Sequence, residues 1–180
     1  MSRKFEYIST VINPDFDLPK RATAHSIAYD IYSPEDFTVK PGEKYMLWTN
    51  IKAQFNTDEA LLINVRSSMG KKNIMLANTQ GWIESDYYNN PDNEGNIGLM
   101  FYNYGTEEWK VQKNDRVAQA MFIKYLVTDN DISEGIRQGG FGSTDNSVII
   151  EAIKNSLNDS ITTIRDNPIC GGENSICQGN

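Results

Sequence analysis

Residues 37–65 read FTVKPGEKYMLWTNIKAQFNTDEALLINV, and this stretch decides the fold. Its β-branched and aromatic residues form three strand-like segments, which are Phe37–Lys40, Tyr45–Phe55 and Ala60–Val65. Pro41-Gly42 and Asn56-Thr57-Asp58 lie between these segments, and such residues suit tight turns. The stretch therefore predicts consecutive short strands joined by turns.

The same pattern extends to both sides, from Phe5 to about Ile123. Further candidate strands are Ile74–Ala77, Ile97–Asn103, Trp109–Val111 and Val117–Ile123. Turn-forming residues separate the later strands at 103–105 and 113–115, and residues 89–95 are a polar loop. Seven or more short strands without helical patterns between them predict an all-β fold, a β-sandwich, β-barrel or jelly roll.

The composition excludes several classes of function. The chain has 180 residues, enough for one domain with a hydrophobic core, and its net charge of −7 disfavours nucleic acid as a partner. No apolar run approaches the roughly 20 residues that span a bilayer. Met1–Lys4 leads into a strand-like segment without a signal peptide, and Cys170 and Cys177 lie too near the end to staple the core. We expect a cytoplasmic protein that binds neither nucleic acid nor membranes.

The pattern changes after about residue 136. Gln138–Thr144 is rich in glycine and carries one aromatic residue, Phe141. Beyond it, apolar residues recur every three or four positions and predict a helix that begins near Asn146 and ends before Pro168; they are Ile149, Ile153, Leu157, Ile161 and Ile164. We expect a β domain over 1–136, an arm over 137–145 and an extension over 146–180, helical and then irregular. Exposed aliphatic residues favour docking of this extension on its own assembly or on a protein partner.

Three segments carry side chains suited to polyphosphate chemistry. Arg66, Ser67 and Ser68 join a cation to two hydroxyls, as in an anion cradle, although a basic surface turn has the same composition. Glu84 and Asp86 lie beside aromatic rings and suit a general base or a solvated turn. The glycine-rich arm offers a cation, a ring and two hydroxyls that can close over a nucleotide or form a plain linker, namely Arg137, Phe141, Ser143 and Thr144.

The sequence offers few residues suited to other hydrolytic mechanisms. The single histidine is His25, and the sequence has no G-x-S-x-G elbow for a serine nucleophile. No Cys/His cluster suggests zinc. Mg²⁺ fits better, because it usually binds through substrate phosphates and keeps several waters.

Taken in order, five segments resemble the five motifs of the trimeric dUTPase family. They are Ala28–Tyr32, Arg66–Ser68 with Gly70, Gly81–Tyr87, Asp115–Gln119, and Arg137 with Gly140–Thr144. The loop over residues 86–95 is most similar to a subgroup from Gram-positive bacteria and their phages. The resemblance covers about residues 20–145. It implies a dUTPase-type jelly roll and a homotrimer in which three subunits build each pocket.

The resemblance also implies an activity and a role for each matched residue. The expected reaction cuts dUTP into dUMP and pyrophosphate with Mg²⁺, which limits uracil in DNA and supplies dUMP for dTMP synthesis. The implied catalytic residues are Glu84, which would deprotonate the attacking water, Asp30, which would order the water shell of Mg²⁺, and Arg66. The implied nucleoside contacts are Asn78, the backbone around Gly81–Ile83 including Ile83, Tyr87 under the deoxyribose, and Phe141 stacked on uracil. The implied phosphate contacts are Arg66, Ser67, Ser68 and Gln119 for the α- and β-phosphates, and Arg137, Ser143 and Thr144 for the γ-phosphate.

Two departures from the family pattern bear on activity. Glu84 stands where the family has Asp, and the extra methylene displaces the carboxylate, so we expect reduced turnover. Asp145 replaces the usual Gly and adds negative charge near the γ-phosphate. A nucleotide-binding regulatory protein with weakened turnover is therefore an open alternative. A dCTP deaminase relative is a third, but Ile97–Tyr102 lacks the catalytic Glu that those enzymes carry on this strand, and they lack the Phe-Gly-Ser-Thr arm.

Overall fold

Short strands make up most of the part of the chain that a computed structural model describes, which is residues 2–133, 135, 137, 139 and 140. The strands are β1 (Lys4–Tyr7), β2 (Tyr29–Tyr32), β3 (Phe37–Val39), β4 (Lys44–Trp48), β5 (Ile51–Gln54), β6 (Glu59–Asn64), β7 (Ile74–Leu76), β8 (Gly81–Glu84), β9 (Gly98–Asn103), β10 (Trp109–Val111) and β11 (Arg116–Lys124). Two short helical segments interrupt them, α1 (Ser67–Gly70) and a 3-10 helix (Ser85–Tyr87). The all-β prediction is confirmed. The predicted helix after Asn146, both cysteines, and Phe141, Ser143 and Thr144 lie outside the described residues.

The strands pair antiparallel in two main sheets that enclose the core. One sheet has the order β2-β11-β6-β8 and the other the order β4-β9-β7, while β1 pairs with β5 and β10 with β3. Their inward faces contribute fully buried residues, among them Ile31, Leu61 and Ile63 from the first sheet and Leu47, Leu99 and Phe101 from the second. This packing is of jelly-roll type. No helix among the described residues is long and apolar enough to cross a bilayer.

The prediction of one strand over Tyr45–Phe55 is wrong, because the chain changes sheets in its middle. β4 pairs with β9, whereas β5 pairs with β1. Between them Asn50 has a φ of +58°, a left-handed conformation that asparagine tolerates better than most residues. The side chain of Asn96 accepts a hydrogen bond from the Asn50 N–H at 2.9 Å and holds this turn.

The remaining predicted strands exist with ends shifted by a residue or two, but two strands are absent from the prediction. They are β2 and β8, each four residues long. β2 contains Asp30, and β8 begins with Gly81 and ends with Glu84, and these residue types are depleted in strands. Both belong to the four-stranded sheet, where pairing with β11 and β6 supplies the stabilisation that their sequences do not predict.

A buried asparagine joins two of the smaller elements to the three-stranded sheet. Asn103 at the end of β9 is 0% exposed. Its Nδ2 donates to the Val39 carbonyl at 2.9 Å and to the Glu107 carbonyl at 2.8 Å, and its Oδ1 accepts from the Gly105 N–H at 2.8 Å. All polar positions of the side chain but one are thereby used, so the residue can be buried without an unpaired donor.

Candidate active site

A buried carboxylate anchors the first cluster of predicted site residues. Asp30 of β2 is 7% exposed. Its Oδ1 lies 2.8 Å from Arg66 Nε, and its Oδ2 lies 3.4 Å from Arg116 Nη1. A buried charge is tolerated when it is paired and hydrogen-bonded, as here. Asp30 therefore fixes two guanidinium groups at the edge of the sheet.

The sheet register extends this cluster into a row of polar side chains. Gln119 on β11 is the Cα partner of both Asp30 on β2 and Asn64 on β6. Directly paired residues share a face, so the three side chains stand side by side on the outer face of the sheet. Gln80 continues the row, since its Nε2 donates to Asn64 Oδ1 at 3.2 Å. Gln119 itself donates to the Val65 carbonyl at 3.3 Å.

The two predicted hydroxyls lie just beyond this row. Ser67 and Ser68 open α1 directly after Arg66, and both are exposed. The next residue, Met69, is buried and fixes the segment to the core. We call Asp30, Arg66, Ser67, Ser68 and Gln119 the phosphate cluster.

A second group of predicted residues surrounds the turn between β7 and β8, which we call the hairpin although β7 pairs with β9 and β8 with β6. A cavity of about 180 Å³ beside β8 has Asn78, Gly81, Ile83, Glu84 and Tyr87 among its lining residues. An opening of about 340 Å³ shares Asn78 and Gly81 with this cavity, so the two meet at the hairpin turn. We call the smaller cavity the hairpin pocket.

Tyr87 forms one wall of the hairpin pocket and is 6% exposed. Its hydroxyl donates to the Asn96 carbonyl at 2.7 Å and accepts from Asn93 Nδ2 at 2.8 Å. Burial raises the pKa of the phenol, and the hydrogen bond from Asn93 opposes this in part. The side chain is thus a neutral, oriented ring at neutral pH.

Arg137 returns to the hairpin from the end of the described chain. Its Nη2 lies 2.9 Å from Glu84 Oε2 and its Nε 2.9 Å from Asp86 Oδ1. The guanidinium side chain is 15% exposed, whereas that of Glu84 is 55% exposed. Next to it, a Cβ built on Gly140 would lie 3.0 Å from Cε2 and Oη of Tyr87, so glycine fits here with the least displacement of the ring. The start of the arm therefore packs on the hairpin of its own chain, and its one positive charge is shared between two carboxylates.

The phosphate cluster and Glu84 are far apart within one chain. In the sheet register, Asp30 aligns with Asn64 of β6, because both are Cα partners of Gln119. Glu84 is the Cα partner of Ala60, which lies four residues before Asn64 on β6. Three strand spacings of about 4.8 Å across the sheet and four residues of about 3.4 Å along it separate their α-carbons by about 20 Å. We call these two groups of predicted residues half-sites, because about 20 Å separates them within one chain.

Two further charged residues belong to these half-sites although the family resemblance gives them no role. Arg116 pairs with Asp30, and Asp86 pairs with Arg137. Both residues lie inside segments that resemble family motifs. Their partners are 86 and 51 residues away in sequence, so local patterns do not show the pairing. Across the described residues, no group of three His, Cys, Asp or Glu side chains is placed to hold a metal ion.

Comparison with known proteins gives a consistent result. A sequence model of the family described as dUTPase matches residues 14–145. The deoxyuridine 5'-triphosphate nucleotidohydrolase of Lactococcus lactis is 41% identical over 145 residues, which are 79% of this chain and 97% of that protein.

Solved structures agree with the sequence comparison. The dUTPase of Streptococcus mutans superposes with a TM-score of 0.65 and 35% identity, covering 70% of this chain and 98% of its own. A mutant dUTPase from phage phi11 of S. aureus, in which a structural Mg(II) ion is coordinated, has a TM-score of 0.59 and covers 75% of this chain and 98% of its own. At 16% identity, the phage enzyme supports the fold alone.

Proposed function

This chain belongs to the dUTPase family, and we propose that it hydrolyses dUTP to dUMP and pyrophosphate at the hairpin pocket. The observation that carries the proposal is the meeting of Tyr87, Glu84 and Arg137 around one cavity. These side chains offer a ring for the sugar, a carboxylate for the water and a cation for the terminal phosphate. Hydrolysis of dUTP needs all three.

The hairpin pocket supplies the nucleoside contacts. Asn78 and the backbone from Gly81 to Ile83 face the uracil edge with fixed donors and acceptors. A wrong base leaves such groups unpaired, which penalises its binding. Tyr87 packs under the deoxyribose and leaves no space for a 2′-hydroxyl. Phe141, Ser143 and Thr144, which lie outside the described residues, would complete the closure over base and γ-phosphate.

The phosphate cluster binds the α- and β-phosphates through Arg66, Ser67, Ser68 and Gln119. Within one chain Glu84 is about 20 Å from Asp30, a separation that exceeds the reach of one reacting phosphate and its metal. A second copy of the chain must therefore bring its phosphate cluster to the hairpin pocket. We propose the homotrimer that is expected for the family, with each pocket shared between subunits.

The outer face of the four-stranded sheet has the composition of a subunit contact. Leu62 is the Cα partner of both Trp82 and Met121, so the three side chains form one apolar strip beside the polar row. Trp82 is 53% exposed in the isolated chain. Large aromatic residues and Met are enriched in interface cores, which supports assembly through this face.

The reaction proceeds by direct attack of water. Glu84 orients the water molecule and takes its proton while the oxygen attacks the α-phosphorus in line. The bond from this phosphorus to the bridging oxygen breaks, and pyrophosphate leaves. The entering γ-phosphate draws Arg137 away from Glu84, because a guanidinium binds phosphate at two points. This exchange frees the base when substrate is in place.

The residues of the phosphate cluster suit a Mg²⁺ ion that is bound mainly by the substrate phosphates, not one held by protein ligands alone. Asp30 is a single carboxylate that two arginines already hold, so it suits contact with the water shell of an ion rather than a protein cage. When bound, Mg²⁺ neutralises phosphate charge and makes the phosphorus a better electrophile. Asp30 would order its waters.

Pyrophosphate release from dUTP, dCTP and dTTP, with and without Mg²⁺, tests the proposal. We expect Mg²⁺-dependent release from dUTP alone. Tight dUTP binding without release would favour the regulatory protein, for which the Arg137–Glu84 ion pair is the supporting observation. Ammonia from dCTP would favour a deaminase, although β9 carries no carboxylate. Absence of both binding and release would refute the proposal.

A further inference from the structure

The loop over residues 88–96 encloses the hydroxyl end of Tyr87. The hydroxyl has one proton, which it donates to the Asn96 carbonyl, and it accepts from Asn93 Nδ2 at 2.8 Å. Because this proton goes to the Asn96 carbonyl, the hydroxyl oxygen can only accept a hydrogen bond from Asn93. The side-chain amide of Asn93 must therefore point its Nδ2, not its Oδ1, at the hydroxyl. The ring is therefore held from its far end by two directional bonds.

Asn93 is itself rigidly placed. Its Oδ1 accepts from the Gly95 N–H at 3.0 Å and from Asn90 Nδ2 at 2.9 Å. Asn90 is buried, and its Nδ2 also donates to the Tyr87 carbonyl at 2.8 Å. Its Oδ1 accepts from the Asn93 N–H at 3.1 Å. The network thus begins and ends on Tyr87, and Asn93 is its link to the ring.

The loop is fastened to the strands behind it. Glu94 accepts from the Ser9 N–H at 3.0 Å and pairs with Lys52 Nζ at 3.2 Å, and the same Nζ lies 2.7 Å from Asn89 Oδ1. Gly95 has a φ of +83°, and a Cβ there would lie 2.5 Å from the Tyr87 carbonyl oxygen. These contacts give the loop the rigidity that a positioning element requires.

We propose that Asn93 is a positioning residue that sets the tilt of the Tyr87 ring and so tightens discrimination between deoxyribose and ribose. The inference rests on the proposed function, in which the ring packs under the sugar. A Cβ built on Gly140 would lie 3.0 Å from Cε2 and from Oη of the ring, so the start of the arm and Asn93 both lie at the hydroxyl end of the ring. Without the bond from Asn93 the ring can tilt away and admit a 2′-hydroxyl. Asn93 has no contact with Glu84 and leaves the chemical step unchanged.

The test is the substitution Asn93→Asp. The carboxylate keeps an acceptor for the Gly95 N–H and Asn90, but the single proton of the Tyr87 hydroxyl then faces two acceptors, so one of its two bonds is lost. Because a neutral hydrogen bond shifts an equilibrium about fivefold, we expect the preference for dUTP over UTP in kcat/KM to fall by about that factor. The pH profile of kcat should not move. Asn130→Asp makes the same chemical change at an exposed position and should leave the preference intact.

A double-mutant cycle with Tyr87→Phe separates positioning from general loosening. If Asn93 acts through the hydroxyl, the double variant has the same preference as Tyr87→Phe alone. Additive losses, or an unchanged preference in both single variants, would overturn the inference. If Asn93→Asp does not fold, Tyr87→Phe still tests the same hydrogen bond, because it removes the hydroxyl that accepts it. Equilibrium binding of dUTP and UTP gives the same readout without turnover, so an inactive wild type counts against the proposed function and not against the role of Asn93.

Discussion

Mixing two inactive variants should restore activity if each pocket is shared between chains. Glu84→Gln removes the base of the hairpin pocket, and Arg66→Gln removes a cation of the phosphate cluster. Each homotrimer then has three defective sites. The separation of about 20 Å between the two half-sites in one chain means that a mixed assembly can unite an intact hairpin pocket with an intact phosphate cluster.

The size of the recovery follows from counting. A site is intact when its hairpin pocket comes from an Arg66→Gln chain and its phosphate cluster from a Glu84→Gln chain. With equal amounts of the two variants and random assembly, each condition holds for about half of the sites, so about one site in four is restored. This fraction is the same whichever neighbouring subunit supplies the phosphate cluster. We therefore expect about a quarter of the wild-type kcat per site from an even mixture.

The assay is pyrophosphate release by full-length chains that are unfolded, mixed and refolded together, with each variant refolded alone beside them. Arg66→Gln mixed with Gln119→Ala is the matched control, because both changes fall in the phosphate cluster and no combination repairs a site. The control mixture should show no more activity than the mean of its two parent variants. Recovery near zero in the first mixture, from variants that fold and assemble, would show that one chain builds its own site and would refute the sharing of half-sites.

Three other substitutions probe the base, the core and the acid response. Glu84→Gln should lower kcat at least about a hundredfold with little change in KM, measured at saturating dUTP, because proton transfer by a positioned base contributes that much. Asn103→Ala removes three hydrogen bonds to backbone groups and should cost about 3 kcal/mol, seen as a melting temperature roughly 10 °C lower, while the exposed Asn130→Ala should melt like wild type. The Arg3 guanidinium lowers the pKa of Glu59 from 4.5, so stability from this pair is present above that pKa and is lost as the pH falls through the lower folded value. Glu59→Gln should flatten the acid limb of stability in urea unfolding; an unchanged limb would contradict this.

Local chemistry explains which elements the sequence predicts. The turns at Pro41-Gly42 and Lys113–Asp115 occur as expected, as does the polar loop before β9, because glycine and asparagine accept left-handed backbone that other residues avoid. Gly42, Asn89 and Asn114 all have positive φ. The break at Asn50 has the same chemistry, but strand-forming residues on both sides mask it. Periodicity alone does not show that a strand changes its partner.

The candidate site likewise has a part that the local sequence predicts and a part that it does not. Six of the residues that line the hairpin pocket lie within 78–87, a continuous stretch whose spacing already places a carboxylate beside a ring. The pairing of Asp30 with Arg116 depends on β2 and β11 meeting in one register, with an irregularity between Arg116 and Ala118. Nothing in either segment alone specifies that register. Long-range pairing is set by the packed sheet, so the resemblance to a family identified these residues where local patterns did not.

The ion pairs of Arg137 link Glu84, one of the two departures from the family pattern, to the expected chemistry of this chain. Glu84 carries one methylene more than the Asp that the family has at this position, and its carboxylate lies 2.9 Å from Arg137. Asp86 holds the same guanidinium at 2.9 Å, so Arg137 keeps a partner when Glu84 is released. A longer carboxylate is therefore not only a displaced base. It is a base that the arm neutralises until a phosphate competes for the arginine, and reduced turnover would then arise from this competition as much as from geometry.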